Sequence, residues 1–280
     1  MREKEPRDES LESDNLSITD ADNDFNDGGY AVKVRGLCKS FRLHHEKKST
    51  LYENLVSLFS RSRGYEKLDV LKGISFDVER GEMMGIIAKN GQGKTTLLQI
   101  LAGILKPDSG LVKLSGSTVP FLGLGTGFHP ELSAIDNIIM YGLYLGLAKK
   151  EIKRRIPEVL AYSELERFAD TKLKHFSRGM YARLAFATAV QVDPDILLVD
   201  EVLSVGDVAF QEKSFETFLS YKRQGKTIVF VTHALQLVER LCDRAIFIQN
   251  GKIQKIGSPH TVVDEFYHFY ELENKSKLSR

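Results

Sequence analysis

The stretch Ala88-Lys89-Asn90-Gly91-Gln92-Gly93-Lys94-Thr95-Thr96 carries the residue types that hold a phosphate group. Glycines let backbone N–H groups crowd around an anion, and a helix that starts there adds unsatisfied donors and a favourable dipole. The ammonium of Lys94 would reach terminal phosphates, and the hydroxyl of Thr95 would ligate Mg²⁺. One position departs from the strict pattern, with Ala88 standing where it begins with glycine. An ordinary glycine-containing turn between a strand and a helix is the plain alternative for this stretch alone. Farther along, Asp200 and Glu201 close the apolar run Ile196-Leu197-Leu198-Val199. A carboxylate at such a place can hold Mg²⁺ through water, and its neighbour can orient or deprotonate an attacking water. The same two residues could simply mark a strand end. His233 closes the run Thr227-Ile228-Val229-Phe230-Val231-Thr232 in the same way. It is placed either to contact a γ-phosphate or to act as a polar cap.

These residues need elements to hold them. Met83-Met84-Gly85-Ile86-Ile87 has the composition of a buried strand, and Leu97-Leu98-Gln99-Ile100-Leu101-Ala102 reads as a helix, so the loop sits between strand and helix. The runs at 196–199 and 227–232 are apolar throughout, as in strands covered on both faces. Strands alternating with helices predict a mostly parallel sheet, with ligands at the C-terminal ends of its strands. Val32 and Val34 alternate with Lys33 and Arg35, and the alternation returns in Ile74-Ser75-Phe76-Asp77-Val78, which predicts half-buried strands. After the turn Lys106-Pro107-Asp108-Ser109-Gly110 come strands at 111–114 and about 119–122. Gly123-Leu124-Gly125-Thr126-Gly127 then opens a region of helical character that runs to about Val190 and does not read as a second nucleotide fingerprint. Asn250-Gly251 predicts a two-residue hairpin between strands 245–249 and 252–256. A helix carrying Val262, Val263, Phe266, Phe269 and Tyr270 ends the ordered part, and residues 271–280 are expected to fray.

A chain of 280 residues can bury a substantial core, and its net charge of +1 supplies no basic field for nucleic acid. No apolar run approaches the roughly 18 residues of a membrane span, and no signal peptide is expected at Met1. Cys38 and Cys242 form neither a disulfide framework nor a zinc spacing and suit a reducing cytoplasm. Residues 1–29 hold ten acidic side chains against three basic ones and few large apolar residues, which predicts a disordered tail. That tail is either plainly solvated or an arm for a basic partner. Between the first two strands, 42–67 reads as an insertion. In it Leu51, Leu55, Leu58 and Phe59 recur at helical spacing, flanked by Lys47, Lys48, Arg61 and Arg63. Such a helix suits anionic lipid, a membrane partner, or packing on its own domain.

Taken together, the motifs resemble those of the ATP-binding subunit of an ABC transporter, over nearly everything from Tyr30 to about Tyr270. Residues 88–96 resemble the Walker A loop, and Ile196 to Glu201 resembles Walker B with its catalytic glutamate. Phe176-Ser177-Arg178-Gly179-Met180 sits in the place of the signature motif, before a helix at 181–190. Ser204-Val205-Gly206-Asp207 resembles the D-loop, His233 the switch histidine, and Phe41 the aromatic that stacks on adenine, although a core role suits Phe41 as well. Within the family, Phe128-His129-Pro130-Glu131-Leu132-Ser133 and the run from Asp200 to Gln211 resemble the ATPases of bacterial exporters of O-antigen, capsule and teichoic acid.

The resemblance implies an α/β fold: a RecA-like P-loop ATPase core with a mostly parallel sheet, an antiparallel β subdomain, and an ABC-type helical subdomain at about 125–190. It implies ATP and Mg²⁺, with Thr95 and Asp200 at the metal and Lys94, Glu201 and His233 as catalytic groups. It implies a homodimer in which Ser177 and Gly179 cap the ATP held by the loop of the other copy. It further implies a separate integral membrane permease that makes most of the contact with a glycan substrate, and a place on the cytoplasmic face of the bacterial inner membrane. Three positions depart from the family pattern: Ala88, Arg178, and Leu124, which falls where a glutamine is usual. They leave open a low-turnover, nucleotide-switched regulatory subunit, and the sub-family alone separates a glycan exporter from a lipid or drug exporter.

Overall fold

The computed structural model describes residues 29–44, 65–200 and 206–278. Glu201, the acidic tail through residue 28, and the Leu51 to Phe59 repeat lie outside the described residues.

A six-stranded sheet carries the site. Its strands are β3 (Met83–Ile87), β5 (Thr118–Phe121), β6 (Ile196–Asp200), β7 (Thr227–Val231), β8 (Arg244–Gln249) and β9 (Lys252–Gly257), in the spatial order β5-β6-β7-β3-β8-β9. Five strands are parallel, and only β9 at the edge runs antiparallel, through the hairpin predicted at Asn250-Gly251. Both turn residues take positive φ, 52° and 76°, as a two-residue hairpin that matches the strand twist requires. The apolar runs follow from burial on both faces. Met83 and Ile87 of β3 face one core cluster with Leu197, Val199, Phe230 and Phe247, while Met84 and Ile86 face another with Ile196, Leu198 and Val231. With a period of two, a strand covered on both sides has no position for a polar residue.

A second sheet of β1 (Tyr30–His44), β2 (Tyr65–Glu79) and β4 (Ser109–Leu114) is antiparallel, in the order β2-β1-β4. Val32, Val34, Ile74, Phe76 and Val78 point into the same core as Met84 and Ile86, as their alternation predicts. The flanks of the expected 42–67 insertion belong to the β1–β2 ladder. Strands β1 and β2 stay paired through Arg42↔Lys67, Leu43↔Glu66 and His44↔Tyr65.

Seven helices are described: α1 (Lys94–Leu101), α2 (Ala134–Tyr144), α3 (Lys149–Ser163), α4 (Arg178–Ala189), α5 (Val208–Arg223), α6 (Leu235–Leu241) and α7 (Pro259–Leu278). α2, α3 and α4 pack on one another around Ile138, Ile152, Leu160 and Leu184, a separate small core that forms the helical subdomain. α7 does not stop near Tyr270. It continues to Leu278. Among the described residues, no helix is long and apolar enough to cross a membrane.

Candidate functional site: a phosphate loop over a threonine–aspartate pair

The loop at 88–93 leaves the C-terminal end of β3 and enters α1 at Lys94. Gly91 and Gly93 adopt φ of 78° and 91°. A side chain at Gly93 would also strike Val70 and Leu71, with a Cβ at 2.8 Å from Val70 Cγ1, so only glycine fits there. Ala88 makes no such demand. Among the described residues, only Glu164 and Asn250 are non-glycine residues at positive φ, and Ala88 is buried in a backbone conformation that any residue adopts. Its departure from glycine therefore strains nothing.

Lys94 is buried at 6% exposure, and its Nζ donates to the carbonyls of Ala88 at 2.7 Å and Lys89 at 3.1 Å. Thr95 Oγ1 donates to Asp200 Oδ2 at 3.0 Å. The end of β6 and the start of α1 thus bring two hard oxygen donors together. Mg²⁺ takes such donors, with waters and phosphate oxygens completing its shell. These residues open on a cavity of about 650 Å³ lined by Asn90, Gly91, Gly93, Lys94, Thr95, Thr96 and Asp200, and by Phe41, Leu68 and Val70 from the β1–β2 hairpin. A floor of backbone amides and cationic and oxygen groups, beside an apolar wall, suits a nucleoside polyphosphate.

Phe41 belongs to that wall and not to the core. It is 37% exposed, and the ammonium of Lys39 lies 5.6 Å from its ring centroid. The strand that presents it is pinned by Asp108, which accepts from Lys39 Nζ at 2.8 Å, Ser40 N at 2.6 Å and Ser40 Oγ at 2.7 Å. The Lys39 ammonium, with the Ser40 hydroxyl and amide, holds the Asp108 carboxyl well below the usual carboxylate range. The sequence marks Asp108 only as part of a turn, since nothing local points to its partners.

His233 is exposed two residues beyond Val231, the β7 partner of Asp200 in the parallel register. The loop, Asp200 and His233 therefore share one edge of the sheet. The side chains of Lys89 and Gln92 turn to protein partners and not into the cavity: Lys89 to the ring of Tyr270, Gln92 to the amide of Asn250.

Ser177 and Gly179 line a different cavity, of about 660 Å³, together with Arg178, Met180, Arg183 and Asp207. Ser177 caps α4 by accepting from Met180 N at 3.2 Å, and its own surface is exposed. Arg178 is exposed beside it. Arg183 pairs with Glu164 at 3.0 Å and with Asp207, so α4 is held to the residue that caps α5. Leu124 packs against the apolar core with Phe128, not into the cavity beside Thr95 and Asp200. The neighbouring Gly125 serves packing: at φ 79° its carbonyl accepts from the Tyr181 hydroxyl at 2.9 Å, and a Cβ there would lie 2.7 Å from that ring.

A family model described as ABC transporter matches residues 71–204. The O-antigen export system ATP-binding protein RfbB of Klebsiella pneumoniae is 39% identical over 231 residues, covering 79% of this chain and 94% of that protein. The Myxococcus xanthus protein of the same name is 45% identical over 241 residues, 84% of this chain. The chain spans only 55% of that relative's length. Teichoic acids export ATP-binding protein TagH of Bacillus anthracis is 36% identical over 249 residues, covering 89% of this chain and 44% of that protein. Among solved structures, the ATP-binding cassette MJ0796, dimeric and bound to ADP and Pi, matches with a TM-score of 0.65 at 23% identity, over 81% of this chain and 98% of that one. That last likeness is one of fold.

Proposed function

This chain belongs to the ABC transporter family of ATP-binding proteins, and from that premise we propose that it hydrolyses ATP to power export of a polysaccharide or lipid-linked glycan. The observation that carries the chemistry is the contact between Thr95 and Asp200 beside Lys94, at the mouth of a cavity with room for a nucleotide. The names of the RfbB and TagH relatives support the glycan as cargo.

In this reading Lys94 leaves the carbonyls of Ala88 and Lys89 for the β- and γ-phosphates, so one set of interactions replaces another as substrate enters. Bound through Thr95 and Asp200, Mg²⁺ would supply neutralisation of developing phosphate charge. Glu201 positions the attacking water, and His233 steadies the γ-phosphate. Phe41 offers its exposed face to the adenine.

Ser177 and Gly179 line a separate cavity within one chain, which supports completion of each site by Ser177 and Gly179 of the partner subunit. ATP then binds the closed homodimer more tightly than the open one, and its hydrolysis releases that bias. The work passes to an integral membrane permease, with this chain peripheral on the cytoplasmic face of the membrane.

The test is export in cells whose own subunit has been deleted. The wild-type chain restores surface glycan and co-purifies with its permease, while Lys94→Ala restores none. Normal surface glycan in the Lys94→Ala strain would refute the role.

A further inference from the structure

The phosphate loop is held from two sides by side chains outside it. Lys89 Nζ lies 3.4 Å from the centroid of the Tyr270 ring, on α7. The Tyr270 hydroxyl donates to Gln249 Oε1 at 2.6 Å. Gln249 ends β8, and the amide of the next residue, Asn250, donates to Gln92 Oε1 at 2.6 Å. Lys89, Tyr270, Gln249, Asn250 and Gln92 therefore close a ring that begins and ends in the loop. Tyr270 is itself buried and set by the core, with its ring centroid 4.6 Å from that of Phe266 and 5.5 Å from that of Phe269.

We propose that Lys89 and Tyr270 are positioning residues for nucleotide binding, through which α7 holds the loop ready for phosphate. The inference rests on the ATP-binding reading above. Three physical points carry it. Gly91 and Gly93 lie in the left-handed region, and a loop built on glycine loses more backbone freedom on ordering than any other. Ties at Lys89 and Gln92 bracket Gly91 and offset that loss before ATP arrives. The carbonyl of Lys89 also accepts from Lys94 Nζ, so the orientation of peptide 89 bears on where the phosphate-facing cation rests. Finally, the ring face attracts the Lys89 ammonium and keeps it on the outer side of the loop, which leaves Lys94 as the inward cation.

The test is calorimetric titration of the 280-residue chain with ATP and Mg²⁺, alongside steady-state ATPase kinetics. Lys89→Met and Tyr270→Leu each weaken ATP binding and raise KM about 3- to 10-fold, with kcat held within about two-fold. The double variant loses no more than either single one, because one broken contact accounts for both. Lys89→Arg recovers most of the affinity. Lys89 is exposed, so Lys89→Met leaves the core intact should Tyr270→Leu fail to fold. Unchanged affinity in Lys89→Met overturns the proposal, and so do additive losses in the double variant. Unchanged or tighter binding by Tyr270→Leu overturns it as well, because Lys89 would then act as a plain phosphate ligand once released. Absence of ATP binding by the wild-type chain would sink the ATP reading itself, and this inference with it.

Discussion

The hydroxyl of Thr95 donates to the carboxylate of Asp200 at 3.0 Å, across 105 residues of sequence. One residue lies in the first turn of α1 and the other ends β6, and β7 separates β6 from the strand that feeds the loop. The doubly covered parallel sheet fixes both ends, so the pair meets without strain at either residue.

Asp200→Asn keeps the shape of the side chain and removes the charge that would face Mg²⁺. Phosphate release should fall about 100-fold or more, and raising Mg²⁺ should recover part of it. Activity within a few-fold of wild type at low Mg²⁺ would remove Asp200 from the metal.

Glu201→Gln should bind ATP with wild-type affinity and lose roughly 10²- to 10⁴-fold in turnover, since it removes a base or water-orienting group while leaving the phosphate contacts. Single-turnover kinetics with ATP check this. A purified complex that hydrolyses at near the wild-type rate would sink the assignment.

Restoring the consensus at the head of the loop gains nothing. Ala88 is not at positive φ, so Ala88→Gly should lose roughly 0.5–1 kcal/mol in urea denaturation through added freedom of the unfolded chain, with no gain in turnover. Gly93→Ala is the opposite case. Positive φ and the contact with Val70 should together cost about 2–3 kcal/mol and abolish ATP binding.

Asp108→Asn should lower the melting temperature at neutral pH by loosening the strand that presents Phe41. The folded-state pKa of Asp108 is depressed, so its contribution is fully present above the unfolded value of about 3.9 and is lost as pH falls from there toward the folded one. The difference between variant and wild type should therefore shrink in acid below about pH 4. A difference that stays constant from pH 7 to pH 3 would contradict the ion-paired role. The same substitution should raise KM for ATP more than it changes kcat.

Much of this molecule is legible without coordinates. The loop at 88–96, the runs at 196–199 and 227–232, and the Asn250-Gly251 turn are contiguous, and each is governed by local rules of backbone freedom and side-chain alternation. Together they determine a parallel sheet with the glycine-rich loop at its C-terminal edge. Tertiary structure decided what those rules do not reach. It decided between the two readings of Phe41 by placing it on the cavity wall, showed that Ala88 carries no strain, paired residues 42–44 with 65–67 in the β1–β2 ladder, and carried α7 on to Leu278. It also set the pairings Lys39–Asp108, Arg183–Asp207, Tyr181–Gly125 and Lys89–Tyr270. Partners 24 to 181 residues apart leave no periodic or compositional mark, because a side chain's partner depends on which surfaces the packed core brings face to face. The sequence alone therefore determined where the glycine-rich loop lies between strand and helix, and only packing decided which side chains it meets.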